Sequence, residues 1–187
     1  MRAYVLQGKG QPAWTEVPIV ARRQIAVSPE EVLRFLDDLE NHAGLAPGSV
    51  EVLSLDRGKD ATAHAVVRLR GPLGIRRTAR TELLPMQRGS ASIEGRAMIG
   101  NRTTASIVWT IQACGQGRSD VTLCARVEQA APLDRLLLRL GAGRWLGGHF
   151  ATALAHLSDD LVAATDWSEV DSIPSRSSVG GLTERAA

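Results

Sequence analysis

Four polar residues share a face of the predicted strands that is otherwise apolar, and one of them carries a charge. They are Arg77, Thr81, Thr103 and Gln129. A buried polar group without a partner costs about 1–3 kcal/mol, so such positions indicate a binding site. The Arg77 guanidinium could hold a carboxylate, an enolate or a quinone oxygen through two parallel hydrogen bonds. The alternative is a strand register shifted by one residue, which would turn Arg77 to solvent.

The four histidines do not form a recognisable catalytic or metal-binding group. His149 and His156 are seven residues apart on the predicted last helix, but they lack the His-x-x-x-His spacing and a carboxylate partner for zinc. His42 follows a helix among three carboxylates, which favours a solvated and partly protonated ring. His64 falls on the outward side of its strand. We predict no metal and no cofactor, and the spacing assigns no catalytic residue.

Two cysteines lie on neighbouring predicted strands. Pairing Ala113 with Val121 places Thr110, rather than Cys114, opposite Cys124. A disulfide would therefore need a different register, and we expect two reduced thiols, which is typical of a cytosolic protein.

Gly141–Gly148 is rich in glycine but differs from a phosphate-binding loop. Leu146 stands where a third glycine would be needed, and a helix rather than a strand precedes the segment. The segment is either a flexible gate beside a cavity, with Arg144 and Trp145 at its edge, or a kink where a helix packs closely on a sheet.

The elements that position these residues follow from hydrophobic periodicity. A strand at residues 17–26 precedes Ser28-Pro-Glu-Glu31, a helix capping box, and the helix should end near residues 41–44, before a short second turn. From Val50 to Ala130 the period becomes two, which predicts a meander of about six antiparallel strands. A helix after Pro132 breaks at the glycines and resumes from His149 to about Ala164.

The alternation of the strands and the helical stripes assigns residues to a common interior. Trp109, predicted opposite Ala125, would form part of the wall, and Gly95 would either leave room for a ligand or let the sheet bend. The predicted ligand-binding residues are Arg77, Thr81, Gly95, Thr103, Ile107, Trp109, Leu123, Val127, Gln129, Leu137, Trp145 and Phe150.

Length and composition limit the class of protein. The chain has 187 residues, of which 44% are hydrophobic, and it carries a net charge of +2. Its length and hydrophobic content predict one globular domain at 17–164. An extension at 1–16 and a flexible tail at 165–187 would flank this domain. The small charge gives no reason to expect nucleic-acid binding. Because the sequence has no long apolar run and no signal-peptide pattern at its start, we expect a cytoplasmic protein.

Four short motifs resemble the START-like (SRPBCC) superfamily, and more specifically its carbon monoxide dehydrogenase G branch. They are Val27-Ser-Pro-Glu-Glu-Val-Leu33, Leu45-Ala-Pro-Gly48, Arg70-Gly-Pro-Leu-Gly-Ile-Arg-Arg77 and Gly143-Arg-Trp-Leu146. The resemblance implies an α+β helix-grip fold, in which a curved antiparallel sheet of about seven strands surrounds a long C-terminal helix. It also implies an apolar cavity between sheet and helix. The sequence departs from the branch at Leu45, where a cysteine is common.

These features support three hypotheses about function. The first is a carrier of a small hydrophobic molecule such as a quinone, a lipid or a polyketide-like compound. The second is a polyketide cyclase/dehydratase using Arg77 with a histidine or threonine, which the aromatic content of 4% makes less favoured. The third, implied by the resemblance to the carbon monoxide dehydrogenase G branch alone, is an accessory partner of a redox enzyme.

A basic stripe is predicted on the outward face of one hairpin. It contains Arg68, Arg70, Arg76 and Arg80. Either the stripe is solvated and balanced by Glu82 and Glu94, or it makes a peripheral contact with an anionic membrane.

Overall fold

The structure is a computed structural model that describes residues 18–58, 62–71, 74–86, 89–100 and 102–170, with side chains up to residue 164. The predicted extension at 1–16 lies outside the described residues, as does the part of the predicted tail beyond residue 170.

The first short helix begins where the sequence predicts it, but it ends at Asp37 instead of near residues 41–44, and a second helix begins at Leu39. In α1 (Pro29–Asp37), the backbone N–H of Glu31 donates to the Ser28 hydroxyl, while the Glu31 carboxylate accepts from the Ser28 N–H at 3.2 Å. This reciprocal capping box confirms the predicted helix start. Helix α2 (Leu39–Gly44) follows after Asp38, whose side chain accepts from the Glu40 N–H at 3.1 Å.

Seven strands form one antiparallel sheet, as predicted. In the sheet they lie in the order β1-β7-β6-β5-β4-β3-β2, so the first and second strands are the two edges. Their bounds are β1 Ile19–Ile25, β2 Val50–Arg57, β3 Ala63–Arg70, β4 Arg76–Leu83, β5 Ser92–Ile99, β6 Thr103–Ala113 and β7 Ser119–Gln129.

The strand registers confirm the predicted inward face of the strands except at the end of β7, and they differ from the prediction by one shift along the chain. Arg70 pairs with Arg76, so the β3–β4 loop has the odd length that the alternation requires. Between β6 and β7, however, Ala113 pairs with Ser119 rather than with Val121. The predicted register is wrong by two residues because the strands extend two residues further toward the turn, a shift that leaves the inward face unchanged.

The β6–β7 shift changes two predicted neighbours. Trp109 lies opposite Leu123 rather than Ala125, and Cys124 lies opposite Val108 rather than Thr110. The two cysteines are unpaired, as predicted, with Cys114 exposed and Cys124 partly buried.

The C-terminal part is one helical run with a kink. Helix α3 (Pro132–Leu137) continues through a π turn (Leu138–Ala142) into α4 (Gly143–Val170). The break is confined to Gly141, at φ +100°, so the long helix resumes at Gly143 instead of the predicted His149 and continues past the predicted end at Ala164. No helix in the described part of the chain is both long and apolar enough to cross a membrane.

Within the part of the chain that the structure describes, the interior contains two separate groups of buried apolar side chains. The larger group joins α1 and α4 to β5, β6 and β7, with Leu36, Leu154, Leu157 and Trp109 among its members. The smaller group, built on Ala65, Val67 and Ala79, covers the inner face of β3 and β4. The predicted apolar stripe of the long helix is confirmed, because Leu154, Leu157 and Leu161 are buried and Phe150 packs on the larger group.

Candidate ligand-binding site on the inner face of the sheet

A row of mostly small side chains crosses the inner face of five neighbouring strands. The row consists of Ala65, Thr81, Ala97, Ala105 and Val127, each paired with the next. Ala97 and Ala105 are buried, yet they belong to neither apolar group. At this row the inner face of β5 and β6 therefore carries only small side chains, beside the smaller apolar group that includes Ala65.

The beginning of α4 lies across the inner face, between the two edges of the sheet. A methyl group on Gly147 would lie 3.9 Å from Cγ2 of Ile19 on β1. Ser49, the residue before β2, has its hydroxyl 3.1 Å from Nδ1 of His149, whose ring lies 4.0 Å from that of Trp145. The glycine segment is a kinked helix that contacts the sheet at Gly147, which agrees with one of the two alternatives that the sequence allowed.

An ion pair attaches α3 to the sheet beside this row. The Arg77 guanidinium donates to one carboxylate oxygen of Asp134, and the Thr103 hydroxyl donates to the other. The Thr103 oxygen also accepts from the backbone N–H of Ala131 at 3.0 Å, and so satisfies a donor at the start of α3. The inward direction predicted for Arg77 and Thr103 is confirmed, but Arg77 is paired with a carboxylate that the sequence did not identify.

Two open clefts mark the two ends of the inner face of β3 and β4. One, of about 390 Å³, is lined by Arg77, Ile99, Arg102, Ala131 and Asp134 among others. The other, of about 360 Å³, is lined at the opposite strand ends by Leu39, Leu55, Arg57 and Ala63 among others. Of the residues predicted to bind ligand, Arg77 lines the first cleft, and the second cleft contains none of them. The row of small side chains runs between these clefts.

His42 differs from the solvated ring that its acidic neighbours favour. Its Nε2 lies 2.7 Å from the Leu36 carbonyl oxygen, which can only accept, so Nε2 carries the proton and donates. The ring stands edge-on to Trp109 at 5.9 Å. Burial lowers the pKa of His42 despite the opposing effects of this hydrogen bond and of Asp38. A polar side chain on one turn of a six-residue helix has no periodicity of its own, so no sequence signal identified this position.

Eight of the nine strand residues predicted to bind ligand lie on the inner face. Of these, Trp109 and Leu123 are packed within the larger apolar group, so they contribute to the core. Thr81 also has a partner, because its hydroxyl donates to the Ala65 carbonyl at 3.3 Å. The eight are Arg77, Thr81, Gly95, Thr103, Ile107, Trp109, Leu123 and Val127.

The prediction for Gln129 is wrong, because its side chain is exposed. The register of β6 and β7 shifts between Thr104 and Ala105, so that Gln129 pairs with Thr104 while Val127 pairs with Ala105. This β-bulge leaves Glu128 as an extra residue in β7, so Gln129 points to the outer face instead of the inner face. The strict alternation of the sequence cannot show such an insertion.

The backbone of β4 passes so close to Gly95 that a side chain would not fit at this position. A Cβ at this position would lie 2.9 Å from the Glu82 carbonyl oxygen. Close contact between the strands therefore accounts for this glycine, rather than space left for a ligand.

The three helical residues predicted to bind ligand are all partly buried. They are Leu137, Trp145 and Phe150. In contrast, Leu133, Leu136 and Leu140, which share the predicted stripe of Leu137, are exposed. Within the described residues, no three His, Cys, Asp or Glu side chains are grouped as a metal site would require.

The sheet, the two short helices and the closing helix are the architecture of helix-grip proteins, and sequence comparison identifies the family. The sequence of residues 17–162 matches the family described as polyketide cyclase / dehydrase and lipid transport. The chain belongs to this family, and so to the START-like superfamily that the motifs resemble.

Solved structures show the same fold at low sequence identity. A protein from Thermus thermophilus superposes with a TM-score of 0.65 at 20% identity, over 80% of this chain and 99% of its own. The Zhui aromatase/cyclase from a Streptomyces species gives 0.63 at 13% identity, over 89% and 99% of the two chains. A START superfamily protein from Mycobacterium smegmatis gives 0.56 at 16% identity, over 77% and 98%.

No curated protein matches the sequence. The family and structural matches are not specific to the carbon monoxide dehydrogenase G branch.

Proposed function

We propose that the protein binds a small hydrophobic molecule on the inner face of the sheet, beneath the beginning of α4, and acts as its carrier. The observation that carries the proposal is the row of small side chains from Ala65 to Val127, which includes Ala97 and Ala105 outside both apolar groups. A ligand lying over these small side chains would gain apolar contact, the usual basis of such binding. Membership of a family that includes lipid transport supports this proposal.

Polar groups at one end of the row would orient the ligand. Arg77 and Thr103 both direct donors to Asp134, at the mouth of the larger cleft. A ligand oxygen could accept from either donor if Asp134 moves away. The contact of that donor with the Asp134 carboxylate would then be replaced by a contact with the ligand. Quinones, lipids and polyketide-like compounds all combine an apolar body with such an oxygen.

A matched pair of variants tests the location. Ala105→Leu adds volume on the inner face, whereas Ser106→Leu adds a leucine at the next position on the outer face. We expect Ala105→Leu to weaken binding of the hydrophobic dye ANS by about fivefold or more, because the leucine would crowd the dye and overpacking costs about 1–3 kcal/mol. Ser106→Leu should leave dye binding unchanged. Equal effects of the two variants, with both proteins folded, would exclude the inner face as the site.

The natural ligand can be sought directly. Native mass spectrometry of freshly purified protein, followed by organic extraction, should show a bound apolar compound that displaces ANS. A protein that carries no such compound and binds no ANS, quinone or fatty acid is not a carrier.

A cyclase or dehydratase acting on a ligand in the interior is the second candidate, and the ring of His42, which stands edge-on to Trp109, favours it. With Nε2 donating to Leu36, Nδ1 is the basic nitrogen, and the lowered pKa keeps the ring neutral and able to accept a proton near neutral pH. The family description and the fold shared with an aromatase/cyclase agree with this chemistry. Product formation from a poly-β-ketone mimic, lost in His42→Asn but kept in His64→Asn, would support it. Absence of product from the native protein would count against it.

An accessory role for a redox enzyme remains a proposal from the motif resemblance. Affinity capture with the full chain should retain a molybdenum hydroxylase if the role is real, and capture of none would argue against it.

A further inference from the structure

Helix α3 and the π turn present three leucines to solvent. Leu133, Leu136 and Leu140 are 50%, 52% and 74% exposed. They are spaced three and four residues apart, so they lie on one stripe of the helical run. Single exposed leucines are ordinary, but three on one short helical stripe form an apolar surface that water does not favour.

The orientation of this stripe is set by the ion pair on another side of the same helix. Asp134 follows Leu133 directly and points to the sheet, where Arg77 and Thr103 donate to its carboxylate. Because the helix is held from the Asp134 side, it cannot turn its leucines inward without breaking these contacts. The exposure of the leucines is therefore part of the folded arrangement.

From residue 132 to residue 144, the exposed charges along this helical run have one sign. Arg139 and Arg144 are exposed, and so is Arg135, whose Nε donates to the Ala130 carbonyl at 2.9 Å. Between residues 130 and 152 the sequence contains one carboxylate, Asp134, and it is paired with Arg77. Arg102 adds a further cation at the cleft that reaches the start of α3.

We propose that this surface, formed by Leu133, Leu136, Leu140, Arg139 and Arg144, docks on an anionic lipid bilayer. Leucines beside arginines are the composition of helices that lie in a membrane interface, with the apolar stripe among the acyl chains and the cations at the head groups. A second copy of the chain fits this surface less well, because a symmetric contact would bring the arginines of both copies together. The proposal goes beyond ligand binding and does not require it.

Docking by α3 would also place the larger cleft at the bilayer. Ala131 and Asp134, at the start of α3, line this cleft together with Arg77. A carrier held in this way could exchange an apolar ligand with the membrane without exposing it to water. Among the described residues of the β3–β4 hairpin no large hydrophobic side chain is exposed, and Arg68 of its outward basic stripe is paired with Glu51 at 2.9 Å.

Co-sedimentation with lipid vesicles tests the proposal. The full chain should bind vesicles of phosphatidylcholine mixed with phosphatidylserine, bind pure phosphatidylcholine much more weakly, and dissociate as salt is raised. The double variant Arg139→Gln with Arg144→Gln should weaken binding by about tenfold or more, since each cation near the surface contributes about a fivefold factor. Its matched control is Arg70→Gln with Arg76→Gln, which removes the same charge from the hairpin and should change binding little.

The leucines are tested separately. Leu133→Ser, Leu136→Ser and Leu140→Ser together should abolish binding, while Val20→Ser, at a 50% exposed position on β1, should not. If the triple variant fails to fold, Leu140→Ser alone should still weaken binding several-fold, because that side chain is the most exposed of the three.

Three results would overturn the proposal. They are no binding to anionic vesicles by the native protein, binding lost with the hairpin arginines but kept without Arg139 and Arg144, and a native dimer that the serine variants convert to monomers without any vesicle binding. Since ANS binding is measured without lipid, failure of membrane docking and failure of ligand binding are distinguishable.

Discussion

Arg77 on β4 and Asp134 in the first turn of α3, which are 57 residues apart in the sequence, form an ion pair that attaches the closing helical run to the sheet. Both side chains are largely shielded, with 26% and 14% of their surfaces exposed. Thr103 completes the contact from β6, so three elements meet at one carboxylate. The beginning of α3 and the candidate ligand site are therefore coupled at this point.

Removal of either charge should destabilise the protein. Arg77→Met leaves the Asp134 carboxylate partly buried with one donor fewer, so we expect a loss of about 1–3 kcal/mol in the free energy of unfolding, measured in urea. Arg68→Met, which breaks the exposed pair with Glu51, is the control and should cost less than about 1 kcal/mol. Similar losses in the two variants would mean that the Arg77 pair behaves as an ordinary surface contact.

Gly95 should tolerate no side chain. Because a Cβ would lie 2.9 Å from the backbone oxygen of Glu82, Gly95→Ala should force β4 and β5 apart and lower stability by about 1–3 kcal/mol. Gly44→Ala is the matched control, since a Cβ there has nothing within 4 Å and alanine favours helix, so it should be neutral or stabilising. Thermal unfolding of both variants checks the difference. A neutral Gly95→Ala would show that the strands can separate without cost.

The kink between α3 and α4 should depend on Gly141. Its φ of +100° lies in the region that L side chains avoid, so Gly141→Ala should cost about 1–2 kcal/mol or straighten the helical run. At both Gly141 and Gly143 a new Cβ would have no atom within 4 Å, so the two positions differ only in backbone conformation. Gly143 is helical, and Gly143→Ala should therefore not destabilise the protein. Urea unfolding gives the stabilities, and ANS binding shows whether a straightened run uncovers the inner face. Equal stabilities and equal dye binding in the two variants would contradict a strained kink.

Stability should fall on mild acidification through His42. Its pKa is lowered by burial, so the unfolded state, with a histidine pKa of about 6.5, binds the proton more readily than the folded state. The stability that the neutral ring contributes is therefore present above about pH 6.5 and is lost as the pH falls through the folded-state pKa.

The measurement is the melting temperature from about pH 8 down to about pH 5. Over this pH range the melting temperature of the native protein should fall further than that of His42→Asn. The Asp120 carboxylate does not interfere, because its ion pair with Arg22 lowers its pKa and keeps its titration at more acidic values. An identical decrease in both proteins would assign the acid sensitivity to other groups.

Local patterns in the sequence determined most of the fold. The capping box at Ser28 and Glu31 needs residues three apart, and the alternation of β3 to β7 needs neighbours two apart, so both are readable without knowing what they contact. The inward directions of Arg77, Thr81 and Thr103 followed from the same alternation, because a residue cannot change face unless the register is interrupted.

Only the tertiary structure decided what those inward residues meet. Asp134 lies on a short helix rich in leucine, and no residue near it in the sequence indicates that Arg77 is its partner. The pair forms only when the sheet curves around the closing helix. The β-bulge that exposes Gln129 depends on how β6 and β7 end, and the burial of His42 depends on Trp109 beneath α2. Periodicity reports the face of an element, whereas these outcomes depend on the distance between elements far apart in the chain.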